Sequence, residues 1–167
     1  VVLARLRGLV RHTNALGADI IVILGDLTAG HRFVTQTVAV ERTAEELGVL
    51  SAPLGVFAVL GNHDWWDDPA AQKRRKGPVL GQRALEANNI SVLENQAIKL
   101  EHEAGAFWLA GLGDQLAFRL GNGRFQGVDD LPATLAQILD DSPVILLAHE
   151  PDIFPEVPQA VALTLSG

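Results

Sequence analysis

Three apolar runs each stop abruptly at residues able to bind a cation. Ile20-Ile21-Val22-Ile23-Leu24 ends in Gly25-Asp26, Val56-Phe57-Ala58-Val59-Leu60 in Gly61-Asn62-His63-Asp64, and Val144-Ile145-Leu146-Leu147-Ala148 in His149-Glu150. Runs of about five β-branched and aliphatic residues read as strands buried on both faces, the kind that helices cover on a parallel sheet. In open α/β sheets, ligands bind beyond the carboxyl ends of the strands. Asp26, Asn62, His63 and His149 are therefore expected to gather at one sheet edge, although they lie far apart in sequence.

The intervening segments support alternation of helix and strand. Residues 2–16 read as an amphipathic helix, with Leu3, Leu6 and Val10 on one face and Gly17 suited to its C-terminal cap. Residues 33–47 read as a second helix, so the first two buried strands form a βαβ unit and run parallel. Residues 65–78 read as an irregular loop and 79–88 as a third helix. Short strands are expected at 91–93, 97–100 and 107–112, a Gly-rich loop at 119–127, a fourth helix at 128–139 and a last strand at 161–165. This middle stretch of short strands implies a second sheet.

A chain of 167 residues suits a single domain spanning 1–167. The expected fold is α/β, a two-sheet sandwich flanked by helices. With 13 basic against 20 acidic residues and a net charge of −7, no sequence-specific nucleic-acid binding is expected. A small phosphate ester is still compatible, because a bound cation can supply positive charge locally. The absence of cysteine excludes thiolate sites and leaves O and N ligands, suited to Mn, Fe, Zn, Co, Ni or Mg. No apolar stretch reaches the roughly 18 residues of a transmembrane helix.

Asp26 offers a hard anionic ligand that can bridge two cations, Asn62 a neutral carbonyl oxygen, and His149 an imidazole nitrogen. Two ions about 3.5–4 Å apart can clamp a phosphoryl group and acidify a shared water to a pKa of about 7. His63, next to a ligand, is the natural acid for the leaving oxygen. Singly, Gly-Asp or Asn-His after a strand is ordinary turn chemistry, and His149 could be a satisfied strand-end histidine. Three buried strands ending this way are not explained so.

Gly25-Asp26-Leu27, Gly61-Asn62-His63-Asp64 and Ala148-His149-Glu150-Pro151-Asp152, in this order, resemble the motifs of the calcineurin-like metallophosphoesterases. Phe107-Trp108-Leu109-Ala110-Gly111-Leu112 resembles, less specifically, a bacterial branch that includes cell-envelope phosphodiesterases. The resemblance implies metal-dependent hydrolysis of a phosphate ester, a diester rather than a monoester, by a hydroxide between two divalent ions (Mn, Fe or Zn). It implies Asp26 as the bridging ligand, Asn62 and His149 on one metal, and His63 as general acid. Alternatives are a nucleotide phosphatase or nuclease of the same superfamily, and a non-catalytic α/β ligand-binding module.

The family opens with Asp-x-His and closes with Gly-His-x-His. Here nothing before Gly25 matches the first, and the chain stops at Gly167, in the approach to the second. The expectation is a fragment of a dinuclear enzyme that retains at most one well-bound metal. Membrane association of the parent would come from a segment upstream of Val1, and localisation stays open between cytoplasmic and membrane-associated.

Weaker candidates surround these motifs. Asp64 either orients His63 or caps the following turn, and Asp114 follows another apolar run. Trp65 and Trp66 either line a pocket or pack. Lys73-Arg74-Arg75-Lys76 suits a solvated face, or else an anionic substrate or membrane surface. His31 is placed near the site rim or in solvent, and His12 and His102 on the surface.

Overall fold

The computed structural model describes residues 3–28 and 38–167. The continuous apolar runs become strands covered on both faces, fully buried in β2 and partly so in β1. The first gives β1 (Ile21–Ile23) and the second β2 (Val56–Ala58), which pair in parallel, with Val22 opposite Phe57. A two-residue strand, β3 (Ser91–Val92), extends this sheet in parallel beside β2. The helix before β1 is α1 (Leu3–Ala15), and the crossover between β1 and β2 carries α2 (Val40–Leu47). The expected start of α2 at residues 33–37, like His31, lies outside the described residues. Ala39, at φ −58 and ψ 140, is not helical, so the helix begins at Val40.

The second sheet holds β4 (Gln96–His102), β5 (Gly105–Gly111), β8 (Val144–Ala148) and β9 (Val161–Ser166), in that spatial order. β4 and β5 are antiparallel, whereas β8 pairs in parallel with both β5 and β9. Side chains alternate across each strand. Phe57 and Val59 of the β2 run join Leu93, Leu109 and Leu147 in the layer between the sheets. Val56, Ala58 and Leu60 turn the other way, into a core shared with Leu6 and Val10 of α1 and Ala44 and Leu47 of α2. On the far side of the second sheet, Trp108, Ala110, Leu146 and Ala148 pack with Leu131 and Ile153. The architecture is the expected two-sheet α/β sandwich with flanking helices.

Three local expectations are corrected. Residues 65–78 are largely helical, with α3 (Asn62–Trp66) and α4 (Pro69–Arg74). The Asp68 carboxylate caps α4 by accepting from the Ala70 and Ala71 N–H groups, and Pro69 fills the first helical turn. After α5 (Leu80–Glu86), which matches the expected third helix, the 119–127 stretch is not a loop but a hairpin of β6 (Phe118–Gly121) and β7 (Arg124–Gln126). Asn122 and Gly123 make its turn at φ 52 and φ 70, the left-handed conformation that an Asn-Gly pair adopts at little cost. The fourth helix shrinks to α6 (Leu131–Leu135), because Asp130 caps it by accepting from Ala133 N–H. A 3₁₀ turn, Pro151–Glu156, connects β8 to β9.

Candidate metal centre

The strand ends converge, but not on one sheet edge. Asp26 and His63 come off the first sheet and His149 off the second. Because the sheets are stacked face to face, the carboxyl ends of β1, β2 and β8 meet at the same end of the sandwich. The His149 ring crosses between them, its Nδ1 2.5 Å from the Leu24 carbonyl oxygen. The backbone at Gly167 closes over the same place, donating its N–H to His149 O at 3.0 Å.

Asp26 adopts φ 56, a left-handed conformation uncommon outside glycine but tolerated by Asp. Asp64 holds it there. Buried at 4 % exposure, the Asp64 carboxylate accepts from Asp26 N–H and Leu27 N–H at 3.0 Å each and from Gly61 N–H at 2.9 Å. One side chain thereby ties the turn after β1 to the turn after β2. These donors lie in the turn after β1 and at Gly61 before Asp64, not in the turn that follows it, so the carboxylate does something neither sequence reading of Asp64 described. Burial pushes its pKa up to about 6 against the pull of those donors.

Asp26 Oδ1 accepts from His63 N–H at 3.0 Å and lies 3.5 Å from His149 Nε2. This close approach requires glycine at 61: a Cβ there would overlap Asp26 Oδ1 and lie 2.7 Å from His149 Cε1. Asn62, half-buried, is the first residue of α3, between Gly61 and His63, both of which touch Asp26 or its partners. The His63 ring stands edge-on to Trp66 at 5.1 Å, with Nδ1 3.9 Å from Asp67 Oδ2. Trp65 is fully buried against Phe118, so it packs and lines no pocket. Trp66 donates from Nε1 to Leu116 O. His12 is exposed, and half-buried His102 lies 3.9 Å from Asp19, both away from this centre.

The donor set suits a divalent cation. A ring nitrogen that contacts a carbonyl oxygen must carry the proton, so Nδ1–H of His149 points at Leu24 O and Nε2 is the nitrogen left facing Asp26 Oδ1. The two atoms, 3.5 Å apart, can share one positive charge, carried either by a proton on Nε2 or by a metal ion. Two donors about 2.1 Å from one ion lie roughly 3.0–3.4 Å apart, close to the observed separation. Carbonyl anchoring of the second ring nitrogen is the usual support of a metal-binding imidazole. Among the described residues no three His, Cys, Asp or Glu side chains stand close enough to hold an ion by themselves. A third donor of another type is needed, and the Asn62 amide oxygen is of that type.

Further carboxylates add negative field. Asp114, 1 % exposed just beyond β5, has its pKa pushed up to about 7, chiefly by burial, with Glu150 and Asp26 adding to the rise. Glu150 is raised by burial and by nearby carboxylates, Asp26 among them. A cation at Asp26 and His149 would relieve this repulsion. Glu150 was not singled out in the sequence because only the stacking of the sheets brings it toward Asp26. Asp114 carried a faint signal, as an acid ending an apolar run.

The sequence matches the calcineurin-like phosphoesterase family over residues 2–160. It is 30% identical to a transmembrane protein with metallophosphoesterase domain from Danio rerio over 172 residues, covering 98% of this chain and 36% of that protein. The Bos taurus protein of the same description is 30% identical, with 95% of this chain and 34% of that protein covered. An uncharacterized metallophosphoesterase from Aquifex aeolicus is 33% identical, with 89% and 49% covered. The chain thus spans between a third and a half of the length of these relatives. No solved structure matches it significantly. Sequence match, fold and the order of the strand-end motifs agree: the chain belongs to the calcineurin-like phosphoesterase family.

Proposed function

We propose that residues 1–167 are a phosphoesterase domain that hydrolyses a phosphate ester with a divalent metal, a phosphodiester being the preferred substrate class. The observation that carries the reading is the pairing of His149 Nε2 with Asp26 Oδ1 at 3.5 Å, while Nδ1 is committed to the Leu24 carbonyl. Asp26, Asn62 and His149 would hold the ion. When bound, such an ion polarises phosphoryl oxygens and lowers the pKa of water toward neutrality. Asp64 fixes the backbone of Asp26 and Leu27, so the carboxylate is presented without rearrangement. His63 is held by its N–H on Asp26, and its ring lies to one side against Trp66, where it donates a proton to the departing alkoxide.

The family supports metal dependence in general terms; Mn, Fe or Zn are favoured here by the mixed O and N donor set. The preference for diesters rests on the sequence likeness to the bacterial phosphodiesterases. Two relatives are described as transmembrane proteins, whereas no described helix of this chain is long and apolar enough to cross a membrane.

The test is thermal unfolding with Mn, Zn or Mg, followed by turnover of a chromogenic diester, a monoester and single-stranded DNA. Mn or Zn should raise the melting temperature of the native chain, and Asn62→Ala and His149→Ala should each remove most of that rise. Absence of any metal-dependent shift would favour a non-catalytic ligand-binding module. A preference for nucleotides or DNA over the chromogenic diester would move the reading to a nucleotide phosphatase or nuclease.

A further inference from the structure

The motif Lys73-Arg74-Arg75-Lys76 has no part in the metal centre, yet the fold brings it beside the β6–β7 hairpin. Gln72 of α4 donates from Nε2 to Ala117 O, just before β6, and the Arg75 guanidinium lies 5.0 Å from the centre of the Phe118 ring. On the hairpin, Arg119 stacks 3.8 Å over the Trp66 ring, and Phe125, its cross-strand partner, stacks on the same indole at 5.5 Å. Arg124 follows the turn. Together with the α4 run these are six of the chain's 13 basic residues, carried by a helix and a hairpin that both pack against α3, in a protein of net charge −7. Among the described residues none of the six forms an ion pair with an acid, although Arg7, Arg42 and Lys99 elsewhere do. The hairpin also exposes two apolar side chains, Leu120 at 40% and Phe125 at 39%.

We propose that this basic and apolar face, formed by the end of α4 and the β6–β7 hairpin, docks on an anionic phospholipid bilayer. Unneutralised cations bring a surface toward phosphates, and apolar side chains among them gain only if the partner also offers hydrocarbon, as a bilayer interface does. A polyanion such as RNA would leave Leu120 and Phe125 in water. It would also extend past the patch onto acidic surface, where the net charge repels it. A membrane meets one face only, and charges on the far side lie beyond the Debye length of about 8 Å at physiological salt. The inference relies on the phosphoesterase reading only in that Trp66 joins this face to His63; docking itself needs neither metal nor substrate.

Flotation of the metal-free chain with vesicles tests it. Neutral phosphatidylcholine vesicles should bind weakly, and vesicles with a phosphatidylglycerol fraction strongly, with binding lost at high salt. Lys73→Gln and Lys76→Gln should each weaken the partition coefficient about fivefold, the effect of one basic residue near an anionic surface. Leu120→Ser should weaken it further without changing the salt dependence. Equal binding to neutral and anionic vesicles, no binding to either, or indifference to the Lys73 and Lys76 changes would overturn the proposal. So would tighter, equally charge-dependent binding to single-stranded RNA. None of these results depends on whether the chain binds metal or turns over an ester.

Discussion

Removing the Asp64 carboxylate should separate its structural contribution from its charge. In Asp64→Ala three backbone N–H groups, of Asp26, Leu27 and Gly61, lose their acceptor. An orphaned buried donor costs about 1–3 kcal/mol. The lower end applies here, because Asp26 is exposed and water can enter beside it. The summed loss is then about 3 kcal/mol, a large part of the roughly 5–15 kcal/mol that holds a domain folded. Asp64→Asn behaves differently. Oriented with its oxygen in the Oδ2 position, Asn keeps the bonds from Asp26 and Gly61 and sets an amide nitrogen against Leu27 N–H. One donor is lost, about 1–2 kcal/mol. Relief of the buried charge, whose pKa burial has pushed up to about 6, offsets part of this. Urea unfolding followed by far-UV circular dichroism measures both, provided the denaturant slope is unchanged. The expected order is a small loss for Asn and a loss about 2 kcal/mol larger for Ala. If Ala costs under about 1 kcal/mol, or Asn costs as much as Ala, the carboxylate is not acting as a shared acceptor for the two turns.

Gly61→Ala should destabilise by about 1–3 kcal/mol and abolish the Mn-dependent rise in melting temperature, because its Cβ would overlap Asp26 Oδ1. Gly8→Ala in α1, with nothing within 4 Å of the new carbon, should instead stabilise by up to about 1 kcal/mol. The Lys99 ammonium, with Ser142 and Trp108, holds the Asp140 carboxyl well below its ordinary value. Its contribution is therefore present above the unfolded pKa of about 3.9 and disappears as pH falls through the lower folded value. The melting-temperature difference between wild type and Asp140→Asn should accordingly shrink between about pH 5 and about pH 2. Arg119→Ala should red-shift the Trp66 emission by uncovering the indole to water, and leave the Mn-dependent melting shift in place, since Arg119 covers Trp66 rather than a candidate ligand.

What could be read from the sequence was what local composition decides. The runs at Val22, Phe57 and Leu146 are apolar at consecutive positions because both faces of each strand are covered, and that pattern needs no partner to be visible. Asp26, His63 and His149 followed from their place at the ends of those runs. The meeting of ends from two different sheets was not visible, since it depends on how Leu109 and Leu147 pack against Phe57 and Val59. Asp64 was legible as a polar residue after a histidine, but two of its three partners are backbone groups 37 and 38 residues away. The α4 start at Asp68-Pro69 and the hairpin turn at Asn122-Gly123 did carry local signals. They were masked by the basic run that follows the first and by the glycines that flank the second.

The bond from His149 Nδ1 to Leu24 O joins a residue at the end of one sheet to a carbonyl at the end of the other. The position of the imidazole is therefore a gauge of how the two sheets sit against each other. A slip of one sheet over the other by a fraction of an ångström would move Nε2 relative to Asp26 before it changed any strand pairing. Substitutions in the layer between the sheets, at Leu109 or Val59 for example, would reach cation affinity from within the core, with no ligand altered. In this fold the packing of the sandwich and the tuning of the proposed metal centre would be one mechanical variable.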